Sequence, residues 1–168
     1  MTQALLIRIM ADGLLVPIVL IGIYALTFKI PKGHKLESYK RILMAGLTAY
    51  LIAKLVGSFY QPSAERPFEL LGSAAGASFL KNPGFPSDHV LFVAAITFAV
   101  WFETKQKLIT ILLAFLTLAV CVGRVAALVH TPVDIIGGIV IAMIGALWYL
   151  NGTPLAKRPK LSLSKRQK

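Results

Sequence analysis

The chain has 168 residues, 57% of them apolar, and a mean hydropathy of +0.73. Soluble domains average roughly 45–50% apolar, so lipid is the expected solvent, and the length suits one domain of about five spanning helices. Eighteen Lys and Arg against seven Asp and Glu give a net charge of +11, but the cations sit between apolar runs and in a tail without an aromatic-rich basic face, which excludes nucleic acid and favours anionic lipid headgroups as the partner.

In chain order, the first apolar stretch is Ala4–Phe28. Only Arg8 precedes its core, Asp12 interrupts it, and no Ala-x-Ala site follows, so a retained helix is expected rather than a secretory signal. Arg8 and Asp12 have the spacing of an i, i+4 pair, for which a structural role is expected. Lys29–Arg41 is a basic turn containing Pro31, Gly33 and a solvated His34. Ile42–Tyr60 is the second span, and Gln61–Asp88 is the long loop. Within that loop Phe68–Leu80, rich in Ala, Gly and Ser, is too short to span and is expected as a short interfacial or re-entrant helix.

Val90–Phe102 is the third and shortest span, long enough only if its helix begins near Ser87. A tight turn at Glu103–Lys107 leads to the fourth span, Leu108–Val129, and the corner Arg124–Asp134 leads to the fifth, Val133–Leu150. Asn151-Gly152-Thr153-Pro154 ends it, and a basic tail runs to Lys168. The expected fold is therefore all-α, an integral membrane helical bundle over residues 1–150 with a basic cytoplasmic tail at 151–168. Cys121, the single cysteine, lies within an apolar run and excludes both an internal disulfide and a cysteine-based metal site.

Charge orients the bundle. With five alternating spans, one side carries 13 cations: five in Lys29–Arg41, two in Glu103–Lys107 and six in the tail. The other side carries five, namely Arg8, Lys54, Arg66, Lys81 and Arg124. Cations favour the cytoplasm, so the N-terminus is expected outside and the C-terminus inside, in the cell membrane. Trp101, Trp148 and Tyr149 then mark the inner boundary, where aromatic belts occur.

The outer side collects three chemically loaded stretches. In the first, Lys54 ends a span and Arg66-Pro67 lies in the loop; a lysine near a helix end commonly snorkels, whereas the guanidinium fork matches phosphate oxygens. Glu65 and Glu69 flank Arg66. The second stretch is Gly84-Phe85-Pro86-Ser87-Asp88-His89, a helix start in which capping by Ser87 is compatible with the free N–H groups binding an anion. In the third, Arg124 is followed by His130-Thr131-Pro132-Val133-Asp134, with Thr131 as N-cap and Pro132 at the first helical position. Asp134 either complements the helix N-terminus or holds the His130 imidazole one turn away. Ionisable groups at a membrane boundary are functional candidates by default.

Together these stretches resemble the type 2 phosphatidic acid phosphatase superfamily, whose motifs read Lys-x6-Arg-Pro, Pro-Ser-Gly-His and Ser-Arg-x5-His-x3-Asp. Here they stand as Lys54 with Arg66-Pro67, Pro86-Ser87-Asp88-His89, and Gly123-Arg124-x5-His130-x3-Asp134. Eleven residues separate Lys54 from Arg66 instead of six, Asp88 replaces a Gly, and Gly123 replaces a Ser. The Phe-Pro-Ser-Asp-His and Arg-Pro-Phe forms resemble the bacterial undecaprenyl-diphosphate phosphatase branch.

The resemblance implies a metal-independent phosphatase without a cofactor. It assigns His130 as the nucleophile that forms a phosphohistidine, Asp134 as its orienting partner and His89 as the proton donor. Phosphate is bound by Lys54, Arg66, Ser87 and Arg124, with backbone N–H groups near Asp88. The expected substrate is a polyprenyl diphosphate, cleaved to the lipid monophosphate. Phosphatidylglycerophosphate or phosphatidic acid is the alternative within the same chemistry, and a non-enzymatic permease-like or resistance protein is the alternative outside it. The sequence does not specify an oligomeric state.

Overall fold

The computed structural model describes residues 2–62, 65–80 and 84–150. The expected basic tail, residues 151–168, lies outside them. The described residues form helices and turns, with no strand among them. Helix α1 (Gln3–Arg8), a π-helical turn (Ile9–Gly13) and α2 (Leu15–Phe28) run together as the first long helix. A 3-10 turn at Lys32–His34 leads to α3 (Lys35–Phe59), and α4 (Pro67–Leu70) is a single turn in the long loop. Then follow α5 (Asp88–Thr104), α6 (Lys107–Ala126) and α7 (Pro132–Ala146), which tightens into a 3-10 turn at Leu147–Tyr149.

Four segments are long and apolar enough to cross a membrane: Gln3–Phe28, Lys32–Phe59, Lys107–Ala126 and Pro132–Tyr149. The chain is accordingly a membrane protein of all-helical fold. The remaining long helix, α5, has 17 residues, nine of them buried. It is central, touching α2, α3, α6 and α7, and at about 25 Å it approaches the hydrocarbon thickness.

Two cores flank α5. On one side Ile18, Val93, Val100, Leu113 and Val120 interlock between α2, α5 and α6. On the other, Ala49, Ala53, Leu91, Ala94, Ile141 and Ala142 join α3, α5 and α7. The second core is built from small residues. Ala45, Ala49 and Ala53 recur every fourth residue along α3, and a Cβ on Gly145 of α7 would stand 2.5 Å from the Ala45 carbonyl oxygen. Small residues permit such close approach, and van der Waals contact then holds helices together where lipid removes the hydrophobic drive. The large apolar side chains point the other way: Leu20, Leu51, Phe115 and Ile136 are each at least 60% exposed. That inversion is expected when the solvent is hydrocarbon.

The expected short helix at Phe68–Leu80 is confined to Pro67–Leu70, and the remainder to Leu80 is irregular. Its backbone donors find partners elsewhere: Phe68 N–H donates to the Leu128 carbonyl and Gly76 N–H to the Ala127 carbonyl, each at 3.0 Å. The loop is thereby stitched across the corner between α6 and α7.

Candidate active site

Antiparallel packing brings the C-terminal end of α6, the N-terminal ends of α5 and α7, and the π turn of the first helix to one end of the bundle. His130 lies in the corner between α6 and α7, 5% exposed. The preceding corner residue Leu128 has φ +59°, a left-handed conformation costly for a residue with a Cβ. It reverses the chain between Arg124 and His130.

Thr131 caps α7 and Pro132 opens it. The Thr131 hydroxyl accepts from Asp134 N–H at 3.3 Å, and Asp134 Oδ2 accepts from Thr131 N–H at 2.7 Å. The same Oδ2 stands 3.5 Å from His130 Nδ1. Asp134 therefore caps the helix and lies beside the imidazole, while His130 Nδ1 makes no hydrogen bond to it. With Nδ1 turned to the carboxylate, Nε2 is the imidazole atom left for a reacting partner.

Burial pulls the His130 pKa below its ordinary value. Asp134 opposes that shift, and the nearby Arg124 and Arg66 cations add to it. The imidazole is thus held neutral at neutral pH, the protonation state a nucleophile needs.

Ser87 precedes α5 at its N-cap position, but its side chain makes no capping hydrogen bond. Its hydroxyl is fully buried and without a hydrogen-bond partner. Its backbone N–H donates to the Asp134 carbonyl at 3.1 Å, locking the start of α5 to α7. Arg124, 1% exposed, donates from one terminal nitrogen to Asp12 Oδ1 and to the Ser78 carbonyl, each at 2.8 Å, while its Nε has no partner. Buried donors in native proteins are nearly always satisfied. Ser87 Oγ, Arg124 Nε and His130 Nδ1 are three unpartnered atoms at this end of the bundle, and Ser38 Oγ is a fourth elsewhere among the described residues.

Arg66 donates to the Val129 carbonyl, beside His130, and to the Leu80 carbonyl at 3.1 Å, with the Phe79 ring 5.4 Å from its guanidinium carbon. A Cβ on Gly84 would meet Asp134 Oδ2 at 3.5 Å and an Arg66 terminal nitrogen at 3.9 Å. Arg66 and Asp134 thus border the same space, kept open by a residue without a side chain. Glu69 caps α4 by accepting from Arg66 N–H at 2.7 Å.

Lys54 and Asp88 are placed differently. The Lys54 ammonium is 3.2 Å from Asp88 Oδ1 and 5.4 Å from the Tyr50 ring centroid. The pair lines a cleft of about 260 Å³ with Ser58, Gln61 and Phe85. Beyond the end of α3, Gln61 accepts from Phe85 N–H at 3.2 Å and donates to the Phe85 carbonyl at 3.1 Å. Gln61, which carried no signal in the sequence, thereby fixes the segment leading into Ser87.

Sequence reasoning also missed Asp12. Its expected partner, Arg8, is not among its contacts; its carboxylate pairs instead with Arg124 and stands 3.8 Å from His89 Nε2. An acid inside an otherwise apolar run was the available signal. Among the described residues, no group of three or more His, Cys, Asp or Glu is placed to hold a metal ion.

Comparison with curated proteins and with solved structures returned no match. A family model, however, matches residues 39–158, well over half of the chain, and covers most of α3, both arms of the His130 corner and every residue of the three motifs, but not Asp12. The chain belongs to the PAP2 superfamily.

Proposed function

We propose that the protein is a lipid phosphatase that removes the terminal phosphate of a polyprenyl diphosphate through a phosphohistidine on His130. Family membership supplies the coarser statement, a phosphatase acting on lipid phosphates. The observation that carries the finer reading is the set of buried donors around His130, in which Ser87 Oγ and Arg124 Nε lack partners.

In this mechanism His130 Nε2 attacks the terminal phosphorus, and the P–O bond to the lipid monophosphate breaks. Burial and the Arg124 cation pull the His89 pKa down to about 4 before substrate enters. As the negatively charged headgroup arrives beside it, His89 takes a proton from water and passes that proton to the departing oxygen. Arg66, Arg124 and Ser87 neutralise the equatorial oxygens, an electrostatic contribution that grows as charge develops. Water then cleaves the N–P bond, with His89 as its base, and inorganic phosphate leaves. Lys54 and Asp88 act from the neighbouring cleft, where the ammonium reaches the headgroup once released from the Asp88 carboxylate. A diphosphate, longer than a monoester head, reaches both places.

An apolar groove of about 430 Å³ lies between α6 and α7, lined by Val122, Val125, Pro132 and Ile136, and it begins two residues from His130. Its lining suits an isoprenoid or acyl chain.

The test is phosphate release by the detergent-purified chain from farnesyl or undecaprenyl diphosphate, phosphatidylglycerophosphate and phosphatidic acid, each with and without chelator. Preference for a diphosphate, undiminished by EDTA, is the expected result. Preference for either phospholipid would replace the substrate assignment, and loss of activity in EDTA would overturn the metal-free mechanism. Release from none of them would remove the enzymatic reading altogether.

A further inference from the structure

The phosphate site has a standing anion contributed from outside the family-matched region. Asp12 sits in the π turn Ile9–Gly13, before the first residue of the family match. A π turn inserts an extra residue into a helix and re-aims the side chains that follow. Here it aims a carboxylate inward: Ala11 beside it is fully buried, while Asp12 meets Arg124, Ser78 and His89.

The contacts form a closed ring. Asp12 Oδ2 accepts from Ser78 N–H at 2.8 Å, Oδ1 accepts from Arg124 at 2.8 Å, and the same Arg124 nitrogen donates to the Ser78 carbonyl at 2.8 Å. A guanidinium 1% exposed needs a counter-ion, and Asp12 provides it. Gly123 makes the approach possible: a Cβ there would stand 2.6 Å from Ala11 N and 2.7 Å from the Met10 carbonyl carbon. The glycine next to Arg124, a departure from the serine of the resembled motif, is thus matched to the π turn that faces it.

We propose that Asp12 is a positioning residue of the phosphate site, holding Arg124 by one terminal nitrogen so that Nε stays available, and bracing His89 on its Nε2 side. Until phosphate binds, it is also the anion that balances the buried guanidinium. This inference rests on the reading of the site as one for phosphate. It separates two effects that a packing role would not separate. Removing the carboxylate takes away a negative charge that opposes an incoming anion, so substrate binding is retained or strengthened. The same change loosens Arg124 and His89, so turnover falls.

The experiment compares the wild-type chain with Asp12→Asn and Asp12→Glu in detergent, measuring kcat and KM on farnesyl diphosphate and Tm with and without inorganic phosphate. Asp12→Asn is expected to lose kcat by on the order of 10- to 100-fold, the scale of a misplaced catalytic group, with KM unchanged or lower. Its Tm should rise more with phosphate than wild type, because phosphate then supplies the missing anion. Asp12→Glu, which keeps the charge, should recover part of kcat.

Unchanged kcat and KM in Asp12→Asn would overturn the proposal. So would a kcat loss with raised KM and a Tm that phosphate corrects no better than in wild type. If wild type releases no phosphate from the lipid, the functional reading fails, and the phosphate-dependent Tm comparison alone decides for or against Asp12.

Discussion

His130 owes its reactivity in this account to two opposed influences. Burial, reinforced by Arg124 and Arg66, favours its neutral form, while Asp134 favours the charged one. Because the net shift is downward, the acid limb of kcat/KM assigned to His130 should lie below the ordinary histidine value, near 6.5. Asp134→Asn removes the group that stabilises the imidazolium, so that limb should move further toward acid. At the same time kcat should fall by about 10²–10⁴-fold as the imidazole loses its orientation. A pH–rate profile of the variant checks both, and a limb displaced upward would refute the assignment. At this scale legibility followed sequence distance. His130 and Asp134 are four residues apart at a helix start, where spacing alone implies proximity. Asp12 and Arg124 are separated by 112 residues, and only packing joins them.

At the scale of elements, the bundle depends on close approach at a few glycines. Gly123→Ala should lower Tm, by about 1–3 kcal/mol of overpacking, because its Cβ would collide with the backbone of the π turn. Gly46→Ala in α3 is the matched control: a Cβ there meets nothing within 4 Å, so its better helix propensity should leave Tm unchanged or raised. Equal Tm losses in the two variants would contradict this packing. The five long helices were legible because each is an apolar run closed by polar turns. The extent of the helix in the long loop was not, since residues 71–80 satisfy their backbone partly through the α6–α7 corner. The π turn was equally hidden, because nothing in Ile9–Gly13 distinguishes it from regular helix.

For the whole molecule, the two ends differ in chemistry. Opposite the proposed phosphate site, Arg41 makes two hydrogen bonds to Glu103, at 2.7 and 2.8 Å, and the Phe102 ring stacks on Tyr149 at 5.3 Å. Glu103 is 2% exposed, so Arg41→Met leaves a buried carboxylate unpaired and should cost about 3–5 kcal/mol. The change should appear in Tm with little effect on KM, since the pair lies at the far end; a raised KM with unchanged Tm would contradict that separation. Sidedness rests on the sequence's excess of cations in the connections on this side, which we propose as cytoplasmic. Ser78 is exposed at the other end, so Ser78→Cys should react with an impermeant maleimide in intact cells. Labelling only after lysis would reverse the orientation.

The central claim is the phosphohistidine on His130, and quenched labelling reaches it most directly. Purified protein is mixed with farnesyl diphosphate labelled with ³²P in the terminal phosphate, stopped in alkali within the first turnover and digested for peptide mapping. Alkali-stable, acid-labile label is expected on the peptide carrying His130, and none in His130→Ala, which should release no phosphate. Full turnover by His130→Ala, or label on a different residue, would contradict it.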